Sequence, residues 1–478
     1  MLLCLTKGEL VTYIIIDALD ECPNSPGIPS QREQVLEHVA HLVGMQTNTR
    51  ICVTSRPESD IQKIFEPLPH RHVTLHVQCG LTEDISLYVH SIMHSDPLFK
   101  KWREEEKSLA IETLSRKADG MFRWVFCQLE TLRQCLPATI RRTLRTLPKT
   151  LDETYQRILE GITEPKWEYA HRIFQCLTVS VRPLQVKELA EILAVDFDSE
   201  TMPCLVEEWR SLNAKEDILS TCSTLVTVDA ETEVVRFAHF SVQEYLVSRH
   251  LATEEKNSIR RFHVVEEHAH TVLAQACLSV LLQLNNPRDQ ICVENPPLAP
   301  YAAEHWVQHA QFKNVTSSLQ GAMECLFHPH KPHFAAWIKI HDIDNPFLVG
   351  GWKPYKKVKP LYYAARCGFL TLAQHLVVTH AQDVNAQGGR YGTALKAASG
   401  RGHLAIVRFL VQNDADVNGQ GGVYGSALQA ASGRGHIEVV RFLIEHGAEV
   451  NARQCGTKGT ALQAASGSGH LEVVRFLV

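Results

Sequence analysis

Residues 425–453 read GSALQAASGRGHIEVVRFLIEHGAEVNAR, and the same phrase recurs at Gly392 (GTALKAASGRGHLAIVRFLVQNDADVNGQ) and at Gly459 (GTALQAASGSGHLEVVRFLV). The starts lie 33 and 34 residues apart, and a diverged copy, PLYYAARCGFLTLAQHLVVTHAQDVNAQ, begins at Pro360. A fixed period of this length marks a stack of like units. Each unit reads as two short helices, the first begun by Thr393 or Ser426. Ala397 and Ala398, like Ala430 and Ala431, are small enough for neighbouring units to approach closely. Gly402, Gly435 and Gly469 fall at the turn between helices, where a positive φ is cheap only for glycine. Ile406, Val407, Phe409 and Leu410 give the second helix its apolar face. No single unit can bury that face, so the units must stack into a solenoid.

Period, glycine placement and helix pattern together resemble the ankyrin repeat. The resemblance implies a surface that binds other proteins through loop tips and a concave helix face. Candidate contact positions are Arg390, Tyr391, Lys396, Val423, Tyr424, Gln429 and Gln463. The last copy stops at Val478, inside its second helix, where Leu471, Val474, Phe476 and Leu477 would form an uncovered apolar edge. The expectation is a chain cut within a repeat.

A second signal lies at residues 13–22, YIIIDALDEC, a run of apolar residues ending in Asp17, Asp20 and Glu21. A buried strand that ends in carboxylates is how P-loop NTPases hold an acid beside nucleotide-bound Mg²⁺. The surroundings suit that fold. Leu10–Ile16 and the segment RICVTS at 50–55 are strand-like, and Val35, Leu36, Val39, Leu42 and Val43 between them have helical spacing. A Pro/Ser-rich turn, 23–30, precedes the helix, so the order is β, α, β with a parallel pair. Arg56 follows the second strand, where a side chain can sense a γ-phosphate. Yet the phosphate-gripping motif GxxxxGK[ST] is absent from these 478 residues, and so is any Gly-Lys dipeptide.

DALDE and ICVTSRP resemble the Walker B and sensor regions of NACHT-type signalling ATPases, the NOD-like receptor relatives abundant in filamentous fungi. KADGMFRWVFCQLETL (117–132) and LPKTLDETYQRIL (147–159) resemble the helical segments that follow the fungal NACHT module. RPLQVKELAEILAVDF (182–197) is similar to the start of its winged-helix domain, and FAHFSVQEYLVS (237–248) to that domain's end. The likeness spans roughly residues 10–310. It implies that His239, through the match of Phe237, His239, Ser241, Gln243, Glu244 and Tyr245, contacts the phosphate of bound ADP. Packing at a strand-to-helix junction is the alternative for that histidine.

The expected fold is multidomain. It comprises the C-terminal part of an α/β P-loop NTPase core (1–90), a helical domain (91–178), a winged helix (179–250) and a helical region (251–345). A linker (346–359) containing GGWKP then leads to an ankyrin solenoid (360–478). Asp96-Pro97 is expected to open helices as N-cap and N1, and Thr150-Leu-Asp-Glu153 to form a capping box.

Composition fits a cytoplasmic protein. Hydrophobic content is 45% and net charge −5, which gives no reason to expect nucleic acid or an anionic membrane as partner. The 14 cysteines form no C-x-x-C pair, consistent with reduced thiols. MLLCLTKGELVTYIII lacks a basic n-region and carries Lys7 and Glu9, unlike a signal peptide. CLFHPHKPH clusters Cys325, His328, His330 and His333, and His305 and His309 stand four apart, but neither matches a zinc spacing.

Three functional readings follow. The first is an ATP/ADP-switched NACHT–ankyrin signalling protein whose P-loop lies upstream. In it Asp17 binds Mg²⁺ through water, Asp20 and Glu21 position the attacking water, Arg56 reads the γ-phosphate and His239 the ADP state. The second, favoured for the chain as given, is a protein-binding scaffold with no nucleotide, no enzymatic activity and a possible homo-oligomeric state. ATP/ADP and Mg belong, in that reading, to intact relatives only. The third is a non-functional fragment.

Overall fold

In the computed structural model, Thr12–Ile16 (β1) and Thr49–Val53 (β2) pair in parallel, Thr12 opposite Thr49 and Ile16 opposite Val53. The structure describes residues 11–22, 31–44, 49–69, 71, 73, 80–199, 202–222, 224–284, 296–344, 359–419, 421–422, 425–452 and 459–478. The expected turn at 23–30, the residues Val423 and Tyr424, and the linker apart from Lys359 lie outside these. Two compact units are formed, Met1–Thr154 and Tyr155–Val478.

In the first unit, helix α1 (Gln31–Gly44) connects the two strands, giving the expected βαβ order. Ile16 and Val53 pack with Leu19, Leu36 and Ile61, the last from α2 (Ser59–Phe65). Successive strand residues point to opposite faces, so Tyr13 and Ile15 emerge on the other side, where they are 70% and 75% exposed. Parallel sheets are ordinarily covered on both faces; among the described residues this pair is covered on one. Helices α3 (Leu81–Ser95), α4 (Glu104–Lys117) and α5 (Phe122–Arg133) enclose a separate core of Ile85, Val89, Leu114, Trp124 and Leu129. Asp96 accepts the Leu98 N–H at 2.9 Å with Pro97 at N1, as its sequence predicts, though what it opens is a 3₁₀ turn. Thr150 caps α6 (Leu151–Glu160) by accepting the Glu153 N–H at 3.1 Å. The Glu153 carboxylate reaches one residue further back than a capping box requires, to the Lys149 N–H at 2.7 Å.

The second unit continues with α7 (Trp167–Val179), β3 (Leu184–Gln185), α8 (Val186–Leu193), β4 (Val195–Asp196), β5 (Cys204–Leu205), α9 (Ala214–Cys222), β6 (Val226–Val228), β7 (Val234–Phe237) and α10 (Phe240–Val247). Strands β3, β7 and β6 form an antiparallel sheet in that order, and the β6–β7 hairpin is the wing of a winged helix. Arg182 grips the buried Glu188 carboxylate with two hydrogen bonds, at 2.6 and 2.9 Å, while Glu188 also accepts the Gln185 N–H at 2.8 Å. A bidentate guanidinium–carboxylate pair fixes orientation as well as charge, here that of the strand-to-helix corner.

Beyond it lie α11 (Glu266–Gln283), α12 (Ala299–Ala310), α13 (Gln320–Leu326) and α14 (His333–Ile340). Three polar rings, Tyr301 and His309 buried and His270 half-buried, join α11 to α12. Tyr301 Oη accepts the Val181 N–H at 3.1 Å and lies 2.9 Å from His309 Nε2, and His309 Nδ1 lies 2.8 Å from His270 Nδ1. With both imidazoles neutral, one ordering satisfies the chain: Tyr301 O–H donates to His309, whose Nδ1–H donates to His270. Burial holds His309 down to about 3 and His270 down to about 4.

Ankyrin units follow as helix pairs: α15 (Pro360–Cys367) with α16 (Leu370–Val378), α17 (Ala394–Arg401) with α18 (Leu404–Gln412), α19 (Ala427–Ser432) with α20 (Ile437–Glu445), and α21 (Ala461–Gly467) with α22 (Leu471–Leu477). Ala397, Ala398, Ala430 and Ala431 are fully buried between units, as their size requires. Gly402 has φ 78°, and a Cβ there would stand 2.6 Å from the His436 ring of the next unit. Backbone conformation and close approach therefore both demand glycine. Asn385 accepts the Asp416 N–H at 2.8 Å and donates to the Asp414 carbonyl at 3.0 Å, and Asn418 treats Glu449 and Gly447 alike. Each asparagine thus spans to the next unit.

The first ankyrin unit is anchored on Asp344, which is 2% exposed. Its carboxylate accepts the Tyr362 hydroxyl at 2.7 Å and the Arg390 N–H at 2.8 Å, and it makes an ion contact with Arg366 Nε at 2.8 Å.

Two outcomes are expected. Asp344→Ala strands a buried guanidinium and two donors, and should lower stability by about 3–5 kcal/mol in denaturant titration. For His270 and His309 the folded values lie below the ordinary 6.5, so the unfolded chain binds more protons between. Their stabilisation is complete above about pH 6.5 and is lost as pH falls towards 4 and then 3. The denaturant midpoint should drop from pH 7 to 5, and less so in His309→Gln.

Candidate functional site

The acidic turn at the end of β1 is built by β2. Thr54 accepts the Ala18 N–H on its hydroxyl at 2.8 Å and the Leu19 N–H on its carbonyl at 2.9 Å, and its hydroxyl donates to the Asp17 carboxylate. Ala18 is held at φ 51°, ψ 53°, a left-handed conformation that costs a non-glycine residue about 1–2 kcal/mol. The two motifs are therefore one device. Asp17 ends exposed beside the C-terminal ends of both strands.

Asp20 turns inward. It is 8% exposed, and both carboxylate oxygens face Arg56, Oδ1 accepting the backbone N–H at 3.0 Å and Oδ2 lying 3.0 Å from Nε. Arg56, expected at a γ-phosphate, pairs here with an acid of its own unit, because a buried carboxylate needs a compensating charge. Glu21 is exposed on the same turn. Arg32, which carries no motif, completes the arrangement. It donates to the Cys22 carbonyl at 2.9 Å and the Asp20 carbonyl at 2.5 Å, and pairs with Asp60 at 3.2 Å.

His239 lies in the second unit, as the N-cap of α10. Its Nδ1 accepts the Ser241 N–H at 3.2 Å and lies 2.6 Å from the Ser241 hydroxyl, which in turn meets Tyr155 Oη at 2.7 Å. An accepting Nδ1 in a neutral ring places the proton on Nε2. The strand-to-helix junction thus has a defined tautomer.

The ankyrin candidates divide. Arg390 and Gln463 are exposed. Lys396, Gln429 and Tyr391 are 1%, 4% and 3% exposed, which corrects their reading as partner contacts. Lys396 Nζ donates to the Gly421 carbonyl at 2.7 Å, and Gln429 Nε2 to the Gly459 carbonyl of the next unit. These side chains fasten the stack, since a solenoid must satisfy the loop carbonyls between units. Tyr391 donates its N–H to Tyr362 Oη at 3.1 Å.

Family models agree with this architecture. That of the GPI inositol-deacylase winged helix domain matches residues 137–256, and ankyrin models match 333–421 and 427–478. The azaphilone pigments biosynthesis cluster protein L of Monascus ruber is 36% identical over 293 residues, 57% of this chain and 61% of the relative. The vegetative incompatibility protein HET-E-1 of Podospora anserina is 27% identical over 331 residues, 63% of this chain and 23% of the relative. In its winged-helix and ankyrin parts the chain is similar to fungal NACHT–ankyrin proteins.

The chain spans less than two thirds of either relative's length. Among the described residues no helix is long and apolar enough to cross a membrane. The buried lysine of its repeats is testable. Burial lowers Lys396 to about 8, and the aligned position in the next two units is glutamine, Gln429 and Gln463. Lys396→Ala should lose about 1 kcal/mol with its hydrogen bond. Lys396→Gln should recover most of it, read as melting temperature.

Proposed function

We propose that this chain is a cytoplasmic signalling scaffold that recognises a partner protein through its ankyrin stack and does not turn over nucleotide. The observation that carries the second half is the closed Asp20–Arg56 pair: the acid is buried and the arginine spoken for. The residues present do not fit a nucleotide, because nothing in the 478-residue sequence supplies the backbone cradle and lysine that grip phosphates. Four stacked helix pairs support the first half, since such arrays present extended surfaces to other proteins. Arg390 and Gln463 are the candidate contacts that remain at the surface. Neither nucleic acid nor membrane is proposed as partner, and self-association is compatible with the reading. The relative named for vegetative incompatibility makes non-self recognition or regulated cell death the process in which such a scaffold would act.

One observation favours a second reading, an ATP/ADP switch. Asp17 is exposed at the C-terminal ends of two parallel strands, the edge where α/β sheets bind ligands. In that reading a P-loop from outside these residues completes the site, with Asp17 at Mg²⁺, Asp20 and Glu21 at the water and Arg56 released to the γ-phosphate.

Calorimetry with Mg-ATP and a phosphate-release assay separate the two. The scaffold reading expects no binding tighter than about 1 mM and no hydrolysis. Turnover that disappears in Asp20→Asn would overturn it. On the partner side, a protein co-purified by the full chain should be lost from Arg390→Glu/Gln463→Glu.

A further inference from the structure

The segment CLFHPHKPH gains a meaning from the fold that its spacing lacks. The ankyrin helix α16 and the loop after it bring His375 and His380 against His328. The His328 and His380 rings have centroids 4.7 Å apart, His375 and His380 5.1 Å, and His328 and His330 5.8 Å. All but His330 are half-buried. His330 and His380 also line a cavity of about 510 Å³ together with Lys359, Gln382 and Asp383.

These separations carry chemical information. An imidazole nitrogen sits about 2.0–2.1 Å from a bound zinc ion, which puts the ring centroid roughly 3.2 Å away. Two imidazoles on one tetrahedral ion therefore have centroids roughly 5 Å apart. His328, His375 and His380 already stand at that spacing around His380. What differs is the ring orientation: the planes cross at 73° and 77°, edge to face. Among the described residues no three such side chains converge to ligating distance as they stand, so closure requires rotation about side-chain torsions.

A carboxylate stands near one ligand, just beyond hydrogen-bond distance, while the Thr379 hydroxyl lies 3.4 Å from the same ring nitrogen. The Glu324 carboxylate lies 3.6 Å from His375 Nδ1 and is itself held by Gln320 Nε2 at 2.6 Å. A carboxylate behind one ring nitrogen orients the other nitrogen toward a metal and raises its basicity. One contact opposes the arrangement. His328 Nδ1 accepts the His330 N–H at 3.2 Å, and that bond is given up when Nε2 binds a cation.

We infer that His328, His375 and His380 form a binding site for a divalent transition metal ion, with Glu324 as a positioning residue and the fourth position open to water or His330. The ion would clasp the turn after α13 to the first ankyrin unit. Imidazole ligands with an open position suit Zn²⁺, Co²⁺ or Ni²⁺ rather than Ca²⁺ or Mg²⁺.

The test is calorimetric titration of the untagged full chain with Co²⁺ and Zn²⁺, beside the variant His328→Gln/His375→Gln/His380→Gln. Circular dichroism establishes that the variant is folded. The expected result is one ion per chain that the variant does not bind, with the visible absorption of tetrahedral Co²⁺ and a metal-dependent rise in melting temperature. Glu324→Gln should weaken binding by about 10–100-fold. Equal stoichiometry and affinity in the wild type and the triple variant would assign the ion to cysteines elsewhere and overturn the site. So would the absence of any binding tighter than about 100 μM.

Discussion

The second unit turns on a single buried carboxylate. Asp344 sits at the foot of the solenoid and receives a phenol, a backbone amide and a guanidinium from the first ankyrin helix pair and the loop behind it. Charge in so dry a place is tolerable only because it is compensated, Oδ2 taking both hydrogen bonds and Oδ1 facing the Arg366 guanidinium. The geometry of those partners then fixes how α15 is seated against the preceding helices. Trp306, Trp337, Phe327 and Phe369 pack around the same junction, so an apolar cluster supplies the cohesion and Asp344 the direction. Every later repeat takes its position from the one before, and the first takes its position here.

Much of this was legible in the sequence because ankyrin units repeat their reasons. The alanines, the turn glycines and the apolar second helices occupy the roles that their spacing assigns. What spacing hides is which side of a helix a polar residue faces. Lys396 and Gln429 look like surface residues and are fasteners, because the carbonyls they satisfy belong to loops at least 25 residues away. Asp344 was equally silent, an acid in the segment KIHDIDN whose burial no spacing announces. Val423 and Tyr424 fall outside the described residues.

At the acidic turn the motif residues were legible and their partners were not. Strand, helix and strand follow from hydrophobic pattern. That Thr54 stitches Ala18, Leu19 and Asp17 together depends on a parallel register the pattern alone does not give. Arg32 is invisible for a similar reason: its role rests on carbonyls, which every residue possesses. The Asp20–Arg56 pair shows how a site drawn from a nucleotide-binding pattern can satisfy itself. An acid and an arginine left with each other form an ion pair, and the strain at Ala18 is carried by ordinary backbone hydrogen bonds.

The asparagines at 385 and 418 reach across one boundary and no further. A bond that recognises only the adjoining unit is indifferent to how many units lie beyond it. Excising one period of the near-identical tract, or copying one, would regenerate the same junction on either side. The recombination that lengthens and shortens tandem DNA would then yield foldable products each time. That makes the length of the array the variable most open to inheritance.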